Sequence, residues 1–297
     1  MIKLLHAGFF RYLHSTVFKV CAASTVLLGS LFAWRISRAV EFNEYCFFFE
    51  TAVFAILISV SVGTETSRCI RQKIVCGYRK TTVFFSELIL ATVMVSLFLG
   101  VFLVLSFALN LHILGHIPFK LAFQCIMGFY CLTISLGAGL AALSSIFSHK
   151  VVSVVVCLIF LMSLYMVNNI VVNVLSEKEF LQYGMLDHVT GEMIRYEEEN
   201  PKYIHEPWRS ILVTFGRINP YGQRAEYGEL LHPFLFDDEH WEAAKEATAN
   251  TIGNDFLKRE ISENEQRFLN TAPLYSLLPT LGTVPVCWLI FRRKTFR

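Results

Sequence analysis

A dense group of basic residues lies between two apolar runs, in the stretch VGTETSRCIRQKIVCGYRK (residues 62–80). It holds five Lys or Arg against a single acidic residue. Ile70, Ile74 and Tyr78 recur at four-residue steps, which predicts an apolar stripe along a short helix with basic shoulders. Gly77 tolerates the left-handed conformation that commonly ends helices, so the helix should stop there. Such a helix can bind anionic lipid headgroups or dock its stripe into a groove on a partner protein, and the pattern leaves both open.

The motifs of common catalytic and nucleotide-binding sites are missing from the sequence. No G-x-x-x-x-G-K-[ST] stretch is present, so we expect any ATP used by this protein to bind to another subunit. H-E-x-x-H and G-x-S-x-G are missing as well, and we predict no catalytic residue and no cofactor bound by this chain. Cys69 with Cys76, or the acidic stretch 237–240 with its histidine, could hold a metal ion. Small-residue packing and a solvated helix N-terminus are the simpler explanations, so we predict no metal site.

Three polar residues inside apolar runs are the remaining candidates for a functional role. Glu50 lies in FFFETAVF, where an ionisable side chain costs free energy unless it faces other helices or water. It therefore faces the interior of a helix bundle, pairing there or lining a path, or it reaches the nearby membrane surface. Asn168 and Asn169 have the same two interpretations, and a hydrogen bond between helices is the simpler role for them.

The composition of the chain that positions these residues is that of a membrane protein. The 297 residues are 54% hydrophobic and 17% charged, whereas soluble domains have roughly 25% charged residues. Residues 176–270 hold 19 Asp or Glu and 10 Lys or Arg, a net charge of −9, which leaves +11 on the rest of a chain whose total is +2. One segment is thus acidic and water-soluble in character, and the remainder is basic and apolar.

Six apolar runs are long enough, or nearly so, to cross a bilayer as helices. They are residues 20–34, 45–63, 88–111, 121–147, 151–175 and 272–291. Basic residues cluster before the first run, between the second and third, between the fourth and fifth, and after the last. The positive-inside rule therefore places both termini in the cytoplasm. The predicted fold class is an all-α polytopic membrane protein with six transmembrane helices.

The predicted spans divide the chain into four parts. Residues 1–16 have apolar side chains near helical spacing beside basic residues, which predicts an amphipathic helix at the inner membrane surface. Residues 17–175 carry the first five spans and the cytoplasmic loop 64–83. Residues 176–270 form an acidic, mostly helical extracytoplasmic domain, and residues 271–297 form the sixth span with a basic cytoplasmic tail.

Residues 63–89, GTETSRCIRQKIVCGYRKTTVFFSELI, resemble the cytoplasmic loop of bacterial type-2 ATP-binding-cassette export permeases, among them bacitracin and lantibiotic resistance proteins. The family form has a Gly-Thr-Glu start, a Thr-Ile-Arg-Asn-Lys core, a Gly followed by a basic residue, and then Ile-Tyr-x-Ser. The matching residues here are GTE at 63–65, IRQK at 70–73, GYRK at 77–80 and Ser86, with Cys69 and Gln72 replacing the usual Thr and Asn. The terminal FRRKTFR and the stretch INPYGQ (218–223) also resemble the family. The long outer segment departs from it, because many members have a short loop with re-entrant helices there.

The resemblance implies a membrane subunit of an exporter, paired with a second permease subunit as a homodimer or heterodimer in the bacterial cell membrane. The loop 64–83 would be a coupling loop that contacts a cytoplasmic ATPase, and that partner would bind ATP and Mg. The residues expected at this contact are Glu65, Ile70, Arg71, Lys73, Ile74, Gly77, Tyr78 and Arg79. The residues expected to line a translocation path between the second and fifth spans are Glu50, Phe54, Asn168 and Asn169.

The expected substrate is an amphipathic peptide or a lipid-like compound, as in antimicrobial peptide export or self-resistance, because an aromatic and weakly polar path suits such molecules. Membrane lipids are a further expected contact, and nucleic acid is not. The competing hypothesis is a non-transporting membrane sensor or scaffold that binds a ligand through its acidic outer domain.

Overall fold

The described residues of the chain fold as a bundle of helices with one small sheet. The computed structural model describes residues 2–35, 40–64, 68–109, 118–147, 149–186, 193–231 and 263–293. The helices are α1 (Ile2–His14), α2 (Thr16–Arg35), α3 (Val40–Thr64), α4 (Arg68–Val75), α5 (Lys80–Leu109), α6 (Phe119–Ile146), α7 (Lys150–Ser176), α8 (Trp208–Ile218), α9 (Pro220–Leu231) and α10 (Glu263–Arg293). The strands β1 (Phe180–Leu186) and β2 (Met193–Glu199) lie between α7 and α8.

Four of these helices, α5, α6, α7 and α10, are long and apolar enough to cross a membrane. They correspond to the predicted third to sixth spans. Helices α1 and α2 meet the same criterion together, but the chain bends by 67° between them. The apolar part of α3, Phe48–Val60, is shorter. The described chain therefore has four candidate spans, or five if the bent pair is one span, where the sequence predicts six.

Helix α1 has an apolar side that packs partly against α5. Tyr12 is buried with Leu90 of α5, and a Cβ on Gly8 would lie 2.5 Å from a Leu90 methyl carbon. Ser15 separates α1 from α2, and its Oγ accepts a hydrogen bond from the backbone N–H of Phe18 at 3.1 Å. This N-cap explains why a new helix starts after the bend. The placement of α1 at the membrane surface stays a prediction.

Helix α6 lies at the centre of the bundle, where it contacts α3, α5, α7 and α10. Small residues allow these close approaches. A Cβ on Gly137 would lie 2.9 Å from a methyl carbon of Val95 on α5. The hydroxyl of Ser144 lies 2.5 Å from that of Ser153 on α7. The small residues of α6 thus bring its neighbours within contact of its backbone.

The segment 176–270 contains a two-stranded antiparallel sheet, which the sequence did not predict and which adds to the all-α class. Phe180 pairs with Glu199 and Leu186 pairs with Met193. Aromatic and β-branched residues favour extended backbone, and the strand sequences FLQYGML and MIRYEEE contain several of them.

The sequence also predicts two helical stretches near the end of that segment, at residues 237–249 and 254–269. The stretch at residues 237–249 lies outside the described residues. The described part of the stretch at 254–269 is helical and continues without a break into α10, which therefore begins at Glu263, before the predicted start of the sixth span.

Basic residues of several elements gather at one end of the bundle. Lys80, at the start of α5, donates to the carbonyl oxygen of Arg292 at the end of α10, at 3.2 Å. The rings of Phe84 and Phe291 lie 5.3 Å apart at the same end. Lys73 on α4 reaches the side chain of Glu87 on α5. The loop before α5 and the end of α10 are therefore neighbours in space.

Candidate functional site

Helices α8 and α9 form a hairpin that enters the bundle from the end opposite α4. Near the beginning of α8, Arg209 Nη2 donates to the carbonyl oxygen of Leu175, close to the end of α7, at 2.9 Å. At the turn, Asn219 Nδ2 donates to the carbonyl oxygen of Leu164, near the middle of α7, at 2.9 Å. From Leu175 to Leu164 an α-helix extends roughly 16 Å. The turn of the hairpin therefore lies about halfway along the bundle.

The stretch INPYGQ (218–223) forms this turn. The side-chain oxygen of Asn219 accepts a hydrogen bond from the backbone N–H of Tyr221 at 3.0 Å and so caps α9. Pro220 takes the first helical position, where its missing N–H is not needed. Gly222 lies where α8 and α9 cross, since a Cβ there would overlap the carbonyl oxygen of Gly216. Each of these residue types is what the tight turn requires.

Gln223 joins the turn to α10. It is fully buried, and its amide donates to the carbonyl oxygen of Arg217 at 2.5 Å. Its side-chain oxygen accepts a hydrogen bond from the Ser276 hydroxyl of α10 at 2.6 Å. The Ser135 hydroxyl of α6 in turn donates to the carbonyl oxygen of Ser276 and contacts the hydroxyl of Thr280. This network connects the first turn of α9 to the middle of α10 and of α6.

Tyr221 joins the turn to α3. Its hydroxyl lies 3.2 Å from the Oγ1 of Thr51 on α3, and both groups are buried. Its ring meets Tyr165 of α7 edge-on at 5.5 Å and lies 6.3 Å from Phe48 of α3. An aromatic side chain with one polar atom thus lies between α3 and α7.

Glu50 and Arg224 are charged residues buried next to this turn. Glu50 is 1% exposed and Arg224 is 7% exposed, and the guanidinium interacts electrostatically with the Glu50 carboxyl. Arg224 also lies over the ring of Phe129, 5.8 Å from its centroid. Glu50 Oε1 has no hydrogen-bond partner among the residues that the structure describes. Of the two interpretations of Glu50, the structure therefore favours the bundle interior.

The other residues predicted to line a path lie in different surroundings in the structure. Asn168 is buried on α7, and its Oδ1 would lie 2.9 Å from a Cβ on Gly222. It therefore belongs to the group of buried polar residues around the INPYGQ turn, which we call the polar turn: Glu50, Thr51, Asn168, Asn219, Tyr221, Gln223, Arg224 and Ser276. Asn169 is half-buried on the same helix. Phe54 belongs instead to the main apolar cluster, where its ring lies 6.4 Å from that of Phe98.

A cavity of about 270 Å³ adjoins the turn, between α6, α7, α8 and α10. Its apolar lining includes Leu132, Leu136, Phe160, Leu164, Phe215 and Ile218. Its polar lining residues Ser135, Asn219, Ser276 and Thr280 are hydrogen-bonded within the chain. Thr283 Oγ1 has no hydrogen-bond partner in the described part of the chain. The Thr283 hydroxyl oxygen is itself buried, so the cavity presents mainly apolar surface.

Helix α4 ends as the sequence predicts. Gly77 has a φ of +91°. The N–H of Tyr78 donates to the carbonyl oxygen of Lys73, and the N–H of Gly77 donates to that of Ile74, both at 3.0 Å. These two bonds around a left-handed glycine are the Schellman arrangement, which confirms Gly77 as the helix stop.

The apolar stripe of α4 faces the protein itself. Ile74 and Tyr78 are half-buried against a cluster formed by Val83, Phe84, Ala142, Cys287 and Phe291. The exposed residues around the end of α4 are Gln72, Val75, Cys76, Gly77 and Arg79, and Val75 is 79% exposed. Glu65 lies outside the described residues, and the side chains of Ile70 and Arg71 lie outside them as well. The described part of the stripe therefore covers the ends of α5, α6 and α10, and the described residues of the opposite face are exposed.

Three residues of the polar turn were not predicted from the sequence. Arg224 directly follows INPYGQ, but it belongs to an acidic segment whose composition is that of a water-soluble region. The sequence therefore did not predict that Arg224 is buried. Thr51 and Ser276 are small polar residues in apolar runs, which usually bond to their own helix. The four-residue step from Ser276 to Thr280, opposite Ser135 in the small-residue face of α6, was the available signal. Within the described ranges, no three His, Cys, Asp or Glu side chains come together as a metal site.

Comparison of the chain with protein-family models, with curated protein sequences and with solved structures gives no match. Its function is therefore inferred from its own residues and their geometry.

Proposed function

We propose that this chain is the membrane permease subunit of an ATP-binding-cassette exporter that moves an amphipathic peptide or lipid-like compound. ATP and Mg bind to a separate cytoplasmic ATPase, and two permease subunits pair in a bacterial cell membrane. The chain crosses the membrane six times with both termini in the cytoplasm, α2 and α3 being the first two spans.

The observation that supports this proposal most is the position of α4. The loop between α3 and α5 folds as a separate helix, ended by Gly77 and packed against the ends of α5, α6 and α10. One face is thereby attached to the bundle, while Val75 and its neighbours stay exposed. A helix that is packed on the bundle by one face and exposed on the other can transmit a displacement from a bound partner to the bundle. If the loop served only to fix the orientation of the chain in the membrane, its basic residues would be enough and a packed helix would not be needed.

The polar turn and the cavity support the substrate class. The turn brings Glu50, Asn168 and Tyr221 together halfway along the bundle. Glu50 Oε1 and Asn168 Oδ1 have no hydrogen-bond partner among the described residues, and an ionisable side chain at this depth of a membrane protein is a candidate for a functional role. The neighbouring cavity of about 270 Å³ is mainly apolar. An apolar cavity of roughly 150 Å³ holds a benzene-sized molecule, so this one has room for part of an apolar substrate. An amphipathic or lipid-like compound has an apolar part that suits this cavity.

The grouping of basic residues supports the orientation. The loop before α5 and the end of α10 meet at one end of the bundle, and the hairpin of α8 and α9 enters from the other. Basic residues in short loops are retained on the cytoplasmic side. The end with α4 is then cytoplasmic, and the acidic segment lies outside the cell.

The proposal is tested by replacing an exposed apolar residue of α4, Val75, with a charged residue. The first step is to determine whether the gene beside this one encodes a lone cassette ATPase. The chain is then co-expressed with that ATPase, and the amount of ATPase retained after purification is measured. Val75→Asp should lose the ATPase, because a carboxylate replaces an apolar contact. The matched control is Val151→Asp at the start of α7, since Val151 is 74% exposed compared with 79% for Val75. This control should retain the ATPase.

Two results would overturn the proposal. The first is a wild-type protein that retains no cassette ATPase, which would favour the sensor or scaffold hypothesis. The second is an equal effect of the two substitutions, which would show that α4 is not the contact.

A further inference from the structure

An ion pair between Lys73 and Glu87 joins α4 to α5. Lys73 Nζ lies 2.7 Å from Glu87 Oε1. Lys73 is near the end of α4, and Glu87 is about two turns into α5, so the contact fixes the angle at which α4 folds back over the bundle. Glu87 was not among the residues expected to act in coupling.

The pair is shielded from water. The side chain of Lys73 is 17% exposed and that of Glu87 is 8% exposed. Exposed ion pairs contribute little to stability, whereas a buried charge that loses its partner is strongly unfavourable. Glu87 Oε2 has no hydrogen-bond partner among the described residues, so the carboxylate depends on Lys73 for its compensation. The joint between α4 and α5 is therefore held firmly.

The same joint extends to α10. Ile74 and Tyr78, on either side of the Gly77 turn, pack with Phe291. From Phe291 to Ser276 the helix extends about 22 Å, and Ser276 is the residue that holds Gln223 of the polar turn. A displacement of α4 thus has a continuous packed route to the middle of the bundle.

We propose that the Lys73–Glu87 ion pair is the joint through which movement of α4 reaches α5 and α10. This inference rests on the proposed function and changes the expected role of Lys73, which acts inside the chain as a positioning residue and does not touch the ATPase. Contact with the partner and transmission of movement then belong to different residues: Val75 makes the contact, and Lys73 with Glu87 transmits.

The test uses the full chain with its cassette ATPase in liposomes and measures two quantities, ATPase retention and the stimulation of ATP hydrolysis by an amphipathic cationic peptide. Lys73→Met keeps the apolar stem and removes the charge. It should retain the ATPase and lose the stimulation. Lys73→Glu and Glu87→Lys should each behave in the same way, and the double variant Lys73→Glu with Glu87→Lys should recover the stimulation, because it restores an ion pair with reversed signs.

The matched control is Lys150→Glu, a charge reversal at an exposed position at the start of α7, which should leave both quantities unchanged. Full stimulation in Lys73→Met, or no recovery in a double variant that elutes as a folded complex, would overturn the inference and leave the proposed function intact. Loss of ATPase retention in Lys73→Met would also overturn it, because Lys73 would then be a contact residue. If the wild-type chain retains no ATPase, both the proposed function and this inference are overturned.

Discussion

Substitution of Gly222 by alanine tests the geometry of the polar turn. The added Cβ would overlap the carbonyl oxygen of Gly216 and lie 2.9 Å from Asn168 Oδ1. A backbone carbonyl cannot turn aside as a flexible side chain can, so α8 and α9 must separate. Overpacking of this kind costs about 1–3 kcal/mol, and the better helix propensity of alanine returns about 0.5–1 kcal/mol. A net destabilisation of up to about 2.5 kcal/mol is therefore expected from the difference of these terms.

The measurement is the thermal unfolding of the purified protein in detergent, followed by the loss of its monodisperse elution peak. Gly222→Ala should unfold at a temperature several degrees below that of the wild type. Gly100→Ala and Gly282→Ala are matched controls, because a Cβ at either position meets nothing within 4 Å. Both controls should be neutral or slightly stabilised. An unfolding temperature for Gly222→Ala that equals those of the controls would refute the tight crossing of α8 and α9.

Three further predictions concern the polar turn and the end of α4. Tyr221→Phe removes the hydroxyl that lies 3.2 Å from Thr51 and should cost about 1 kcal/mol in thermal unfolding; an unchanged unfolding temperature would speak against that bond. Arg224→Met leaves the buried Glu50 carboxyl without its neighbouring cation and should cost about 3 kcal/mol. Adding Glu50→Gln should recover most of this loss, and purely additive effects in a double-mutant cycle would contradict the pairing. Gly77→Ala forces a side chain into a φ of +91° and should lower the free energy of unfolding by about 1–2 kcal/mol. It should also reduce the amount of ATPase retained. Wild-type stability and retention would argue against the left-handed turn.

The sequence predicted the elements whose signal is local. Long apolar runs predicted α5, α6, α7 and α10, because a helix that is apolar on all sides must be buried or face lipid. The stop of α4 at Gly77 followed from the conformational freedom of glycine. The boundaries were less accurate, since α5 begins at Lys80 and α10 at Glu263, where polar residues continue the helix beyond its apolar part.

The contacts between distant segments could not be predicted in the same way. The burial of Arg224 depends on the hairpin of α8 and α9 entering the bundle, and nothing in the composition of an acidic segment indicates this. The ion pair between Lys73 and Glu87 depends on how far α4 folds back after Gly77. The sequence predicted the stripe of Ile74 and Tyr78 but assigned it to lipid headgroups or to a groove on a partner, whereas both side chains pack on their own chain. Periodicity does not say on which of these a helix packs.

The central claim is that a separate ATPase drives this chain through α4. It is tested most directly by measuring ATP hydrolysis in liposomes that contain the chain with its cassette ATPase, with and without an amphipathic cationic peptide. We predict that the peptide stimulates hydrolysis in the wild-type complex and in Val151→Asp, and that Val75→Asp abolishes the stimulation. Hydrolysis that is independent of the peptide, or that is equally stimulated in Val75→Asp, would contradict the account.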